Sequence, residues 1–78
     1  MHHPPMPVEH VLARRQSIGK HMRDARLHAN LTQETVALRA DIRIATYSRI
    51  ENGHASPSLD TLIRIAYALD VPLADLVR

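Results

Sequence analysis

The chain contains no cysteine in 78 residues, which excludes disulfides, thiolate zinc sites and a cysteine nucleophile, and fits a reducing compartment. Its longest apolar runs are only a few residues, far short of the roughly 20 that a membrane-crossing helix needs, and the N-terminus lacks the apolar segment of a secretion signal. We therefore expect a cytoplasmic protein with no membrane partner. No HExxH pair and no glycine-rich phosphate loop occurs, so neither a metal site nor a cofactor is expected, and the chain does not read as an enzyme. His21 and His28 stand seven residues apart, too far for an i, i+4 ligand pair, and are expected to be solvated. No strand pattern occurs, since nothing alternates with a period of two.

What is present is arginine, unevenly spread. Nine of the ten basic residues are arginine, whose planar fork suits phosphate and guanine edges better than an ammonium does. Residues 14–49 hold eight Lys/Arg against three Asp/Glu, a balance of +5, whereas residues 50–78 stand at −2. A basic first half and an acidic second half suit a domain that meets a polyanion on one side only. At this length a chain buries a modest share of its surface, and self-association is a common supplement.

Helical periodicity organises the chain. "MHHPPMP" at residues 1–7 carries three prolines and no period, so it reads as a disordered or extended arm before a single domain over 8–78. Its His2–His3 pair reads as part of a plain tail rather than a metal site. Val11, Ile18, Met22, Ala25 and Ala29 predict a first helix over about 9–29, closed by Asn30, which tolerates a left-handed cap. Thr32 caps a second helix over about 32–40, with Glu34 favouring the positive end of its dipole. After the turn Asp41-Ile42-Arg43, a third helix runs from about Ile44 to Asn52 and stops at Gly53. Ser58 caps a fourth through Leu59, Leu62, Ile63, Ala66 and Leu69; Pro72 suits the first position of a short fifth bearing Leu73, Leu76 and Val77. The sum is an all-α, compact five-helix domain.

"LTQETVA", "YSRIENG" and "SPSLDTLIRIAYALDVPLADLV", in that order and spacing after "IGKHMRDAR", resemble the helix-turn-helix domain of the Cro and phage-repressor family, also called the xenobiotic-response-element family. The resemblance covers about residues 18–77. It implies a lambda-repressor-like fold with the helix-turn-helix at the second and third helices, Ala37 supplying the small residue at their crossing and Ile42 plugging the turn. Tyr47 and Ile50 would face inward, which turns the opposite side of the third helix toward the major groove of double-stranded DNA. The base-reading positions carried over are then Ile44, Ala45, Ser48 and Arg49, with Arg43 at the helix start. Arg49 suits either guanine O6 and N7 or a phosphate, and Ile44 either a thymine methyl or the core. Ala45 and Ser48 discriminate little.

The phosphate candidates are Thr32 and Gln33 at the second helix N-terminus, Thr46, and Asn52 and His54 beyond the third helix, with His54 equally well a plain surface residue. Arg26 and Glu51 occupy places where related domains join the first and third helices by an ion pair, and Arg26 also stands near phosphate. Three departures from the family pattern bear on the turn. Asp41 replaces the usual glycine, Ala40 a larger apolar residue, and Arg43 the usual Ser/Thr cap, so the turn is expected to be strained or differently built and slightly under-packed.

Leu69, Val71, Leu73, Leu76 and Val77 crowd the last ten residues, more apolar surface than a short final helix buries alone, and are expected at the interface of a homodimer, helped by Val8–Leu12. The expected function is a transcriptional regulator binding a near-palindromic operator. Two alternatives share the fold: an antitoxin that holds a toxin or other protein partner through Pro4–Arg15 and autoregulates its operon, and a controller of a restriction–modification operon.

Overall fold

The computed structural model describes residues 3–78, and the expectation for His2 lies outside the described residues. Five helices follow in order: α1 (Val8–His28), α2 (Gln33–Ala40), α3 (Ile44–Glu51), α4 (Leu59–Leu69) and α5 (Leu73–Val77). No strand occurs among the described residues. Helices α2 and α3 pack on each other, α1 on α3 and α5, and α4 on α2 and α5.

Local chemistry starts and stops these helices. The Thr32 hydroxyl accepts from the Thr35 N–H, and the Ser58 hydroxyl from the Thr61 N–H, each at 3.1 Å, satisfying a donor that the first turn leaves free. Pro72 sits one position earlier than expected, as the N-cap of α5 with helix beginning at Leu73. Four ends share one stop. Asn30, Asp41, Gly53 and Asp70 all take positive φ, and the next N–H reaches back five residues in each case: Leu31 to Arg26, Ile42 to Ala37, His54 to Arg49 and Val71 to Ala66. This is the paired-carbonyl closure that a left-handed residue permits. The turn at Asp41 is therefore built as the glycine would build it, at φ 57° and ψ 46°, and Ala40 is fully packed at its shoulder.

The core gathers Met22 of α1, Val36 and Ala37 of α2, Tyr47 and Ile50 of α3, Ile65 and Leu69 of α4 and Leu76 of α5. Each large side chain buried there contributes roughly 1.5–3 kcal/mol. Two expectations are corrected by it. Leu69 and Leu76 lie inside the single chain, and Val71 and Leu73 are half-covered by the same core, which leaves only Val77 of the five exposed. Five residues of α5 suffice because α1 and α4 close over them from two sides. His21 is likewise half-buried, its Nδ1 3.0 Å from the Leu76 carbonyl oxygen, so it fastens α5 to α1 instead of facing solvent.

Candidate nucleic-acid interface

Helix α3 is two turns long, and its inner side is fixed by burial of Tyr47, Ile50 and Glu51. At 100° per residue the opposite stripe is Ala45, Ser48, Arg49 and Asn52, with Ile44 and Thr46 on its flanks. All are exposed except Ser48, which is half-exposed. Ile44 is 48% exposed, so the core does not claim it. Arg43 stands at the N-cap without a capping hydrogen bond and is free to project from the start of the helix. Arg49 donates to the His54 carbonyl at 3.3 Å, which leans it toward the loop after α3, and the Asn52 amide reaches the Ser48 hydroxyl at 3.5 Å. Asn52, expected to meet phosphate, thus belongs to the same stripe as Ala45 and Ser48.

Behind this face lies a buried ionic knot. Arg26 donates from Nε to Glu51 Oε2 at 2.9 Å and from Nη2 to Oε1 at 2.8 Å, a two-point fork, while its Nη1 reaches the Leu31 carbonyl at 3.0 Å. Gln33 Nε2 donates to the same carboxylate at 3.2 Å. One carboxylate therefore ties α1, α2 and α3 together. With its donors turned inward and its side chain 13% exposed, Arg26 is not carried forward as a phosphate contact. Gln33 is half-buried and partly committed in the same way. Thr32 and Thr46 and the His54 side chain remain exposed where a backbone could reach them.

Burial opposes ionisation of Glu51, but the hydrogen bonds that Arg26 and Gln33 donate to it outweigh burial and hold the carboxyl below its ordinary value of 4.5. A lowered folded-state value means that Glu51 contributes its full stability above about pH 4.5 and loses it as pH falls through the lowered value. Urea midpoints followed from pH 7 to pH 3 should fall in that acid range, and Glu51→Gln should remove part of the fall. An unchanged acid slope in Glu51→Gln would contradict the assignment. The Tyr47 hydroxyl is buried beside this knot with no hydrogen-bond partner among the described residues, and burial pushes its ionisation well above the ordinary tyrosine value.

A helix-turn-helix family profile matches residues 22–76, the stretch that carries both helices of the motif and the knot behind them. The chain is a Cro/C1-type helix-turn-helix protein. The chain is 39% identical over 56 residues to the cryptic phage CTXphi transcriptional repressor RstR of Vibrio cholerae, covering 72% of this chain and 50% of that protein. The chain thus spans about half the length of this curated relative. Among solved structures it is similar to the restriction-modification controller protein C.AhdI from Aeromonas hydrophila, with a TM-score of 0.80 at 28% identity over 82% of this chain and 97% of that one. It is also similar to the clp gene regulator ClgR from Corynebacterium glutamicum, with a TM-score of 0.78 at 25% identity over 92% and 71% of the two chains.

One further residue of α1, ahead of the matched stretch, fixes this geometry. Gly19 is buried where α1 crosses the end of α3, and a Cβ there would overlap the Glu51 carbonyl oxygen and lie 2.9 Å from that of Ile50. A lone glycine in a helical pattern is the signal for such a crossing. Among the described residues no helix is long and apolar enough to cross a membrane, and no cluster of His, Cys, Asp or Glu is arranged to hold a metal ion.

Proposed function

We propose that this chain is a DNA-binding transcriptional regulator of the cytoplasm, acting without enzymatic activity, that reads a near-palindromic operator as a homodimer. The observation that carries this reading is the largely exposed, mixed stripe Ala45, Ser48, Arg49 and Asn52, presented by a helix whose other side is locked by Tyr47, Ile50 and Glu51. A rigid helix with a mixed, uncovered face is what the major groove admits. In this reading Arg43, Ile44, Ala45, Ser48 and Arg49 meet bases, Thr32, Thr46 and His54 meet phosphate, and residues 3–7 belong to an arm outside the single domain over 8–78. Two copies related by a two-fold axis would present their α3 helices to half-sites about 34–36 Å apart.

Selection from a pool of random duplexes tests the proposal, and a near-palindromic motif is the expected result. Arg49→Ala should relax preference at one base position per half-site, at a cost of roughly 1–3 kcal/mol for the matched base. Thr46→Ala should weaken binding evenly across sequences instead. Enrichment of no motif would sink the proposal, and the opposite pattern in the two variants would exchange reader and anchor. A narrower reading, control of a restriction–modification operon, is favoured by the likeness to a controller protein whose chain is almost wholly matched. The antitoxin reading needs Val8, Val11 and Leu12 to stay uncovered in the dimer.

A further inference from the structure

Resting on that homodimer reading, we propose that the two copies join through the first turns of α1, Val8, Val11 and Leu12 of one copy packing antiparallel against the same residues of the other and into the groove beside them. The family match begins at residue 22, so this part of α1 lies outside it. Residues 8–14 are all exposed. Val8, Val11 and Leu12 recur at i, i+3 and i+4, hence on one face, and are 68%, 41% and 42% exposed. A helical segment with no cover of its own frays unless something packs on its apolar side.

The groove is half-open and about 210 Å³ in volume, with Val11, Ile18, Pro57 and Leu62 among its walls. That is room for roughly two aliphatic side chains at interior packing density. Val11 belongs both to the ridge and to the groove wall, so knob and hole share one patch. A two-fold contact requires this, because each copy must offer both halves of the fit. Charge follows the same geometry. The groove is flanked by Arg14 and Arg15, and Arg15 Nε is buried there without a hydrogen-bond partner among the described residues. The ridge carries Glu9 in its first turn. Antiparallel crossing near Val11 and Leu12 lays the first turn of one copy beside the third turn of the other, setting Glu9 toward the partner's basic pair. Arg14 meanwhile donates to the Val77 and Arg78 carbonyls at 2.7 and 2.9 Å, which holds this turn of α1 against the chain end.

Sedimentation equilibrium of wild type, Leu12→Asp and Ile63→Asp decides the matter, with circular dichroism as the check on folding and anisotropy on a single half-site duplex as the second readout. Both positions are exposed, and Ile63 belongs to the exposed stripe Leu59, Ile63 and Tyr67 on α4, the competing apolar face. Wild type should dimerise, Ile63→Asp should match it, and Leu12→Asp should weaken the dimer at least about 30-fold, as losing a central apolar anchor does. Glu9→Arg should weaken it as well and Arg15→Glu should restore that variant in part. Half-site affinity should be equal for wild type and Leu12→Asp; loss of half-site binding by every protein would instead refute the regulator reading while leaving the dimer result intact. A monomeric wild type, or a Leu12→Asp dimer as tight as wild type, overturns the proposal. Dissociation by Ile63→Asp alone would place the axis on α4, and a monomeric wild type would leave the α1 ridge to a different protein.

Discussion

Glu51→Ala should destabilise the domain by about 3–5 kcal/mol, the usual consequence of leaving one member of a buried ion pair without its partner. The carboxylate accepts from Arg26 twice and from Gln33 once, and its side chain is 3% exposed, so water cannot replace it. For a domain of this size the loss approaches the whole of its stability. Urea denaturation gives the measure, and a change below about 1 kcal/mol would show that the pair contributes no more than a solvent-exposed one. The double variant Arg26→Met with Glu51→Leu separates charge from packing. Replacing both partners by apolar side chains of similar bulk commonly costs little, so the double variant should be more stable than Glu51→Ala. Its specificity for DNA should fall even so, because nothing apolar sets the angle between α1, α2 and α3 as the two-point fork does.

Gly19→Ala should be the reverse of what helix propensity says. Alanine in a helix interior is better than glycine by about 1 kcal/mol, yet here the added methyl meets backbone, lying 2.8 Å from the Glu51 carbonyl carbon and 2.9 Å from the Ile50 carbonyl oxygen. No side-chain rotamer relieves that, so α3 must shift away from α1. We expect a net loss of about 1–3 kcal/mol, in the range of core overpacking, and weaker operator binding in anisotropy titrations because the reading helix moves with its anchor. Ala13→Gly, at an exposed position on the same helix, should cost only the propensity difference. A Gly19→Ala protein as stable as wild type would mean that the two helices have slack at their crossing.

What could be read from the sequence was what neighbours along the chain decide. Thr32 and Ser58 cap because their own next turns supply the N–H groups, and Asn30 and Gly53 end helices for reasons confined to a single residue. The outer stripe of α3 followed once Tyr47 and Ile50 were turned inward. Contacts between distant residues were not legible. Gly19 matters because of carbonyls 31 and 32 positions later, and His21 because of a carbonyl 55 positions away. Periodicity says that Leu69 and Leu76 are covered without saying whether this chain or a second copy covers them. The Arg26–Glu51 pairing rests on the family resemblance, and the sequence around Gln33 points to phosphate because its hydrogen-bond partner, Glu51, is 18 positions off.

The burial of Tyr47 also makes the domain its own optical gauge. The chain has no tryptophan, no phenylalanine and two tyrosines; Tyr67 is 86% exposed, whereas Tyr47 is wholly enclosed beside the carboxylate that joins three helices. Near-ultraviolet absorbance and intrinsic emission therefore change on unfolding at essentially one ring, which sits on the inner side of α3. Both tyrosines absorb near 280 nm, but the change in that band on unfolding comes mainly from Tyr47 and so follows the helix-turn-helix with no label attached.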